Sequence, residues 1–222
     1  MKKLTDITIV LDRSGSMESI REKTIDGFNA FLKDQKTLKD QAVFTLFQFD
    51  HEFETVYEAL DIKEVPPLTI NSFVPRGMTA LLDAIGKGIK ETKQRINISE
   101  PDASRRVIFV LITDGYENNS RIYSRKNIFD KISRMEKKHH WEFVYLGANQ
   151  DAISEATSMG IQAKKAMTFL ANDKCVEKAF SSVSKNMASL RQSDILFAFS
   201  DDQRLEQQEE ISDPDLTSVS DN

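Results

Sequence analysis

The sequence is poor in the residues that staple, break or anchor a chain. Its 222 residues hold one cysteine, Cys175, so an intrachain disulfide framework is excluded and a reducing compartment is expected. Five prolines and eight glycines exclude collagen-like and low-complexity classes. No apolar run approaches the roughly 18–20 residues of a membrane span. Met1-Lys2-Lys3 resembles the charged start of a leader, but Ile7 to Leu11 behind it is too short for an apolar leader core and is bracketed by Asp6 and Asp12. The expectation is a cytoplasmic chain with no cleaved leader and no membrane contact. No basic stripe is visible at a net charge of −5, which argues against nucleic acid as a partner.

What is present is an ordinary apolar core, with Phe supplying 14 of the aromatic residues against four Tyr and one Trp. A chain this long buries about 70% of its unfolded surface and needs no structural staple. Charge is concentrated at one end. From Ser200 to Asn222 eight acids face Arg204 alone, a net of −7 that leaves residues 1–199 near +2. We therefore divide the chain into a folded domain, 1–199, and an acidic, disordered tail, 200–222, whose composition suits a solubilising segment.

Within 1–199, strand and helix patterns alternate. Asp6–Asp12 is a short β-branched apolar run, the mark of a buried parallel strand. Residues 19–35 carry apolar side chains at helical spacing. Ala42–Phe49 reads as a second strand, and Phe53–Tyr57 as its antiparallel hairpin partner at a sheet edge. Helices are expected over 79–95, 124–138 and 173–191, with a short one from Asp151 closed by Gly160. Strands are expected over Arg106–Thr113, Trp141–Leu146 and Ile161–Ala163. The last helix shows a 4, 3, 4, 3 apolar spacing, too short for a coiled coil, and is expected to dock on the sheet. This is an α/β pattern: a doubly wound, mostly parallel sheet with one antiparallel edge strand and helices on both faces. Ligands in such sheets bind at the carboxyl ends of the strands.

The chemistry sits at those ends. Asp12-Arg13-Ser14-Gly15-Ser16 follows the first strand, Thr113-Asp114-Gly115 ends the most apolar one, and Gly77-Met78-Thr79 lies at a loop–helix junction. Two carboxylates and three hydroxyls are hard oxygen donors, which select Mg²⁺, Ca²⁺ or Mn²⁺ over zinc. The competing reading makes Asp12 and Ser14 helix caps, Thr79 another cap and Asp114 a turn residue. Asp50, Asp83 and Glu117 lie near these segments and are candidates to support the metal ligands from behind; the preferred assignments are simpler. Asp50 is assigned to the hairpin turn, and Asp83 and Glu117 to solvent or helix capping. His139 and His140 read as an exposed helix end, and Trp141 as core. Gly86-Lys87-Gly88 lacks the flanking residues of a phosphate-binding loop.

Asp-x-Ser-x-Ser after the first strand, Thr79 before a helix and Asp114 in a Thr-Asp-Gly turn resemble the metal-ion-dependent adhesion site (MIDAS) of von Willebrand factor A domains, a Rossmann-like family. The strand–helix order agrees along residues 5–195. Gln48-Phe49-Asp50, Phe73 to Gly77 and Leu146 to Asp151 are also similar to small cytoplasmic bacterial and phage proteins of this family. The resemblance implies that Ser14 and Ser16 coordinate directly, and that Asp12, Thr79 and Asp114 do so directly or through water. It also implies a partner protein whose Asp or Glu completes the coordination, with Met17, Arg76 and Met78 on the rim. A hydrolase is disfavoured. Position 14 is Ser where a haloacid-dehalogenase-type enzyme carries its second acid, and no Ser-His-Asp set or Gly-x-Ser-x-Gly is evident. The expected function is a Mg²⁺-dependent protein-binding module. The alternative is a non-catalytic subunit or adaptor of an ATPase, stress-response or phage-related assembly, with the ion mainly structural.

Overall fold

The computed structural model describes residues 4–96, 105–149 and 151–207. Six strands form one sheet in the order β3-β2-β1-β4-β5-β6. They are β1 (Leu4–Asp12), β2 (Ala42–Phe49), β3 (Phe53–Asp61), β4 (Arg105–Thr113), β5 (Glu142–Ala148) and β6 (Ala166–Phe169). All neighbours are parallel except β2 and β3, which form the expected antiparallel hairpin at one edge. The helices are α1 (Arg21–Lys36), α2 (Leu81–Arg95), α3 (Arg125–His139), α4 (Ala152–Ser158), α5 (Asp173–Ser193) and α6 (Asp201–Leu205). Among the described residues no helix is long and apolar enough to cross a membrane.

The period-two alternation of strand side chains divides the core. Ile7, Ile9 and Leu11 of β1 point, with Ile108 and Val110 of β4, into a layer closed by α1 and α5. Val10 of β1, with Phe109 and Leu111 of β4, points into the opposite layer, closed by α2, α3 and α4. Strands buried on two faces cannot alternate apolar with polar, which is why β1 and β4 read as continuous apolar runs. The chain leaves β1 toward β2 on one side and returns to β4 on the other. A crevice therefore opens between the carboxyl ends of β1 and β4, where loops diverge to opposite faces.

The helices that close the layers approach tightly. α5 docks on α1, and Gln35 Nε2 donates to the Ser184 carbonyl at 3.1 Å between them. Gly27 of α1 lies against the Phe180 ring, where a Cβ would overlap it. Gly86 and Gly88, the pair that superficially suggested a phosphate loop, sit within α2 against Tyr123 and Phe109. Their role is close helix packing.

Several expectations change. The last strand is Ala166–Phe169 instead of Ile161–Ala163. Gly160 (φ +90°) ends α4, Ile161 N–H bonds back to Ala156 O, and residues 163–165 make a 3-10 turn before the chain extends. The first helix is preceded by a 3-10 turn, Gly15–Ile20, and α2 begins at Leu81, which leaves Thr79 in the loop. His139 is buried, and only His140, in a left-handed cap, matches the exposed helix end. The acidic segment opens with an ordered turn: Ser200 caps α6 with a reciprocal box to Gln203, and Gln207 is buried. The remainder of that segment, 208–222, lies outside the described residues.

Glycine to alanine in a helix interior ordinarily gains about 1 kcal/mol. Gly27→Ala should instead cost about 1–3 kcal/mol, because the new methyl overpacks against Phe180. Urea denaturation of Gly27→Ala, alone and combined with Phe180→Leu, checks this: the cost should shrink in the double variant.

Candidate metal centre

The register of β1 against its neighbours assembles the site. Asp12 is the last residue of β1 and pairs with Phe49 of β2, while Leu11 pairs with Ile112 of β4, so β1 and β4 end side by side. Thr113 Oγ1 donates to Asp12 Oδ2 at 2.5 Å, and Asp12 Oδ1 accepts from the Ser14 N–H at 2.6 Å, closing a local turn. Asp12 is fully buried and forms the floor. Above it, Ser14 Oγ and Ser16 Oγ are 3.2 Å apart, and Ser16 Oγ donates to Asp114 Oδ1 at 2.7 Å. Ser16 is exposed and Asp114 half-buried, so these two stand at the mouth.

Thr79 arrives from a separate loop. Its N–H donates to Asn118 Oδ1 at 2.9 Å, and its carbonyl accepts from the Asn118 and Asn119 N–H groups at 3.0 and 3.2 Å. Its hydroxyl faces the Asp114–Gly115 turn: a Cβ on Gly115 would lie 3.1 Å from Thr79 Oγ1 and 3.5 Å from Ser16 Oγ. The structure therefore brings Asp12, Ser14, Ser16, Thr79 and Asp114 together at one sheet edge. Of the capping alternative, Asp12 closes a turn through the Ser14 N–H while the helix N-cap position falls at Ser14, and Asp114 does lie in a bend. Neither Ser14 nor Thr79 spends its side chain on a helix cap. Five oxygen-bearing side chains with two acids are chemically suited to a hard divalent cation.

Electrostatics separate this cluster from the buried acids Asp6 and Asp50. Asp6, at the opposite end of β1, is matched by Arg95 (2.8 and 2.9 Å) and Arg105 (3.1 Å). Asp50 is matched by Arg13 (3.1 Å) and Arg76 (2.9 Å). Burial would raise the Asp50 carboxyl, but the Glu52 N–H and the two guanidiniums outweigh it and hold it below the usual range. Among the described residues, no cationic side chain pairs with Asp12 or Asp114. Burial pushes Asp12 up to about 7, against the lowering effect of the Thr113 and Ser14 hydrogen bonds, and the nearby Asp114 adds to the rise. Burial likewise raises Asp114, with the Ser16 hydrogen bond opposing.

Residues outside the five divide into supports and misplacements. Asp83 accepts from the N–H groups of Arg121, Ile122 and Tyr123, and Glu117 from those of Leu82, Asn119 and Ser120, so the two acids lace the β4–α3 loop to the start of α2. Met17, expected on the rim, is buried because the 3-10 turn directs it into the core. Met78 remains half-exposed, and Tyr116 joins it as an exposed neighbour of the site. The pairing of Asp50 with Arg13 and Arg76 escaped the sequence reading, since nothing local links positions 13, 50 and 76. Asp50, His51 and Glu52 offer possible ligand atoms within 4.8 Å of one another. Arg13 and Arg76 already pair with Asp50, and Arg76 with Glu52, which weakens the electrostatic case for a cation there.

The family model of the von Willebrand factor type A domain matches residues 6–181. No curated protein matches the sequence. Proximal thread matrix protein 1 from the mussel byssus is similar in structure, with a TM-score of 0.57 at 18% identity, covering 86% of this chain and 46% of that one. This chain thus spans about half the length of that relative. A further structure of the same mussel protein, with a zinc-occupied MIDAS motif, has a TM-score of 0.56 at 16% identity, covering 86% of this chain and 47% of that one. The vWF domain of the type V pili tip protein Mfa5 from Porphyromonas gingivalis has a TM-score of 0.59 at 9% identity, covering 86% of this chain and 97% of that one. At these identities the likeness shows a common fold.

A carboxyl raised in the folded state binds more protons there than in the unfolded chain, so stability falls as pH rises. For Asp12 the loss begins above 3.8 and is complete above about 7. In EDTA, Asp12→Asn should be the more stable protein at pH 8, by on the order of a few kcal/mol, and lose that advantage near pH 4. Thermal unfolding across this pH range checks it. Equal curves would show that Asp12 carries no such penalty.

Proposed function

The chain belongs to the von Willebrand factor type A domain family, and from that premise we propose that it is a metal-dependent protein-binding module. Asp12, Ser14, Ser16, Thr79 and Asp114 would hold the cation, Mg²⁺ first and Mn²⁺ or Ca²⁺ in its place. The observation that carries this reading is the pair of desolvated acids, Asp12 and Asp114, which among the described residues have no cationic side chain beside them, while Asp6 in β1 and Asp50 just after β2 each have two. Buried charges are ordinarily paired or bound to metal. The five residues, two acids and three with neutral hydroxyls, would hold a cation that supplies an electrophilic centre for a carboxylate oxygen from outside the protein. The unpaired Cys175 fits a cytoplasmic setting.

The chain's own groups supply the rest. Asp12 provides buried negative charge at the floor, and Ser16 and Asp114 present oxygens at the mouth. Met78 and Tyr116, 50% and 61% exposed, offer apolar area beside it for a partner carrying Asp or Glu. Binding fits these groups better than turnover. His51 turns Nδ1 toward Asp50 at 3.3 Å, and among the described residues no hydrogen bond joins it to Ser14, Ser16 or Thr79. A general base must reach the group it activates.

Mg²⁺ at about 100 times its Kd should stabilise the wild type by roughly 2.7 kcal/mol, and Asp12→Ala should lose that response. Thr79→Ala should cost a partner at least about tenfold in affinity, near 1.4 kcal/mol, with little change in metal-free stability. Replacing the partner's acid by a neutral residue should cost about 2–5 kcal/mol. Thermal shift and pull-down from the native host, in Mg²⁺ and in EDTA, measure these effects. A partner held equally in both would make the ion structural and the module reading wrong.

A further inference from the structure

Asp50 lies outside the five residues assigned to the cation, yet its carbonyl and one carboxylate oxygen are spent on the loops that carry them. It follows β2 directly and is fully buried. Its carbonyl accepts from the N–H of Ala80, the residue after Thr79, at 2.9 Å. Oδ1 accepts from the Glu52 N–H at 2.6 Å. Oδ2 accepts from Arg13 Nε at 3.1 Å and from Arg76 Nε at 2.9 Å. Arg13 stands between Asp12 and Ser14, and Arg76 begins the Gly77-Met78-Thr79 segment. One carboxylate oxygen therefore sits between two guanidiniums, one from each loop.

The backbones of these loops are tied at the same place. The Arg76 N–H donates to the Arg13 carbonyl at 2.7 Å, and the Gly15 N–H to the Gly77 carbonyl at 3.2 Å. Gly77 is left-handed (φ +69°) and lies against the His51 ring, so a side chain there would collide with it. The outer guanidinium nitrogens reach Glu54 from Arg13, and Glu52 from Arg76 at 2.7 Å. Two cations and three anions thus form a closed network beside the site.

We infer that Asp50 is a positioning residue: through Arg13 and Arg76 it fixes the separation between the loop bearing Ser14 and Ser16 and the loop bearing Thr79. The inference rests on the cation-site reading above. A small octahedral cation demands oxygens at set distances, and surface loops reach them only when held by fixed partners. Two effects of the network oppose each other when Arg76 is removed. Charge alone says that deleting a cation beside the site tightens divalent binding. Positioning says that cutting one loop's side-chain tie to the Asp50 carboxylate weakens it.

The test is Mn²⁺ affinity of the full chain, by titration calorimetry and electron paramagnetic resonance. Arg76 is the handle because it is half-exposed, whereas Asp50 is fully buried. Arg76→Ala should bind Mn²⁺ about tenfold more weakly than wild type. Glu52→Gln, which removes an anion but leaves both guanidiniums on Asp50, should change affinity by less than about threefold. The Arg76→Ala loss should shrink in a Thr79→Ala background, since both changes act on one ligand. Thermal unfolding of each variant accompanies the titrations, and Arg76→Lys is expected to recover part of the affinity. Arg76→Ala binding as tightly as wild type, or more tightly, overturns the inference. So does an equal loss from Glu52→Gln, or full additivity with Thr79→Ala. Wild type that takes up no Mn²⁺ overturns the cation-site reading and this inference with it.

Discussion

A fully buried carboxylate and a half-buried one beside it, with no cationic side chain paired to either among the described residues, are the constraint around which the carboxyl edge of this sheet is arranged. Asp12 is as buried as Asp6 and Asp50, but those two each face a pair of guanidiniums. Among the described residues Asp12 is met by hydrogen-bond donors, Thr113 Oγ1 and the Ser14 N–H and hydroxyl, and those do not cancel a charge. Its neighbour Asp114 has the Ser16 hydroxyl. Desolvation disfavours the ionised form of each acid, and their proximity adds repulsion. A domain retains such a pair at a cost in stability, which is why the edge reads as a place to bind something positive.

The rest of the fold supplies rigidity for that edge. β1 and β4 are buried on two faces and pair in parallel along their length, so their ends cannot drift apart without disturbing both core layers. α2 carries Thr79 just ahead of its first turn, and its Gly86 and Gly88 let it lie close to Tyr123 and Phe109. Asp83 and Glu117 then stitch the loop after β4 to the start of α2. Thr79 and Asp114 are thereby referenced to the same structure, although 35 positions apart in the chain. Asp50 does the corresponding work on the other side of the crevice, between the Arg13 and Arg76 loops.

The solved structures with this fold share only 9–18% of their residues with the chain in the comparisons above. A two-layered packing of helices on a parallel sheet tolerates wide substitution so long as apolar volume and period are kept. The site is less tolerant, because it depends on particular oxygens at particular strand ends. Likeness in fold consequently says little about partners; under the binding-module proposal, the exposed Met78 and Tyr116 are the residues that would choose one.

Much of this was legible in the sequence. Continuous apolar runs at β1 and β4 identify doubly buried parallel strands, and their carboxyl ends carry the Asp-x-Ser-x-Ser and Thr-Asp-Gly segments, so the fold class and the five candidate residues follow from local pattern and resemblance. Local pattern could not decide three things. Met17 is apolar and next to Ser16, and only the 3-10 turn sends it inward. Ile161–Ala163 has strand-like composition, but Gly160 and a backward hydrogen bond to Ala156 delay the strand to Ala166. The Asp50–Arg13–Arg76 bridge joins positions tens of residues apart, and charged side chains carry no periodic signal of their partners. Secondary structure and ligand type are written in short-range order, since they depend on backbone preference and donor chemistry. Which acids are neutralised and which are left bare depends on contacts made only after the sheet closes, and tertiary structure alone decides it.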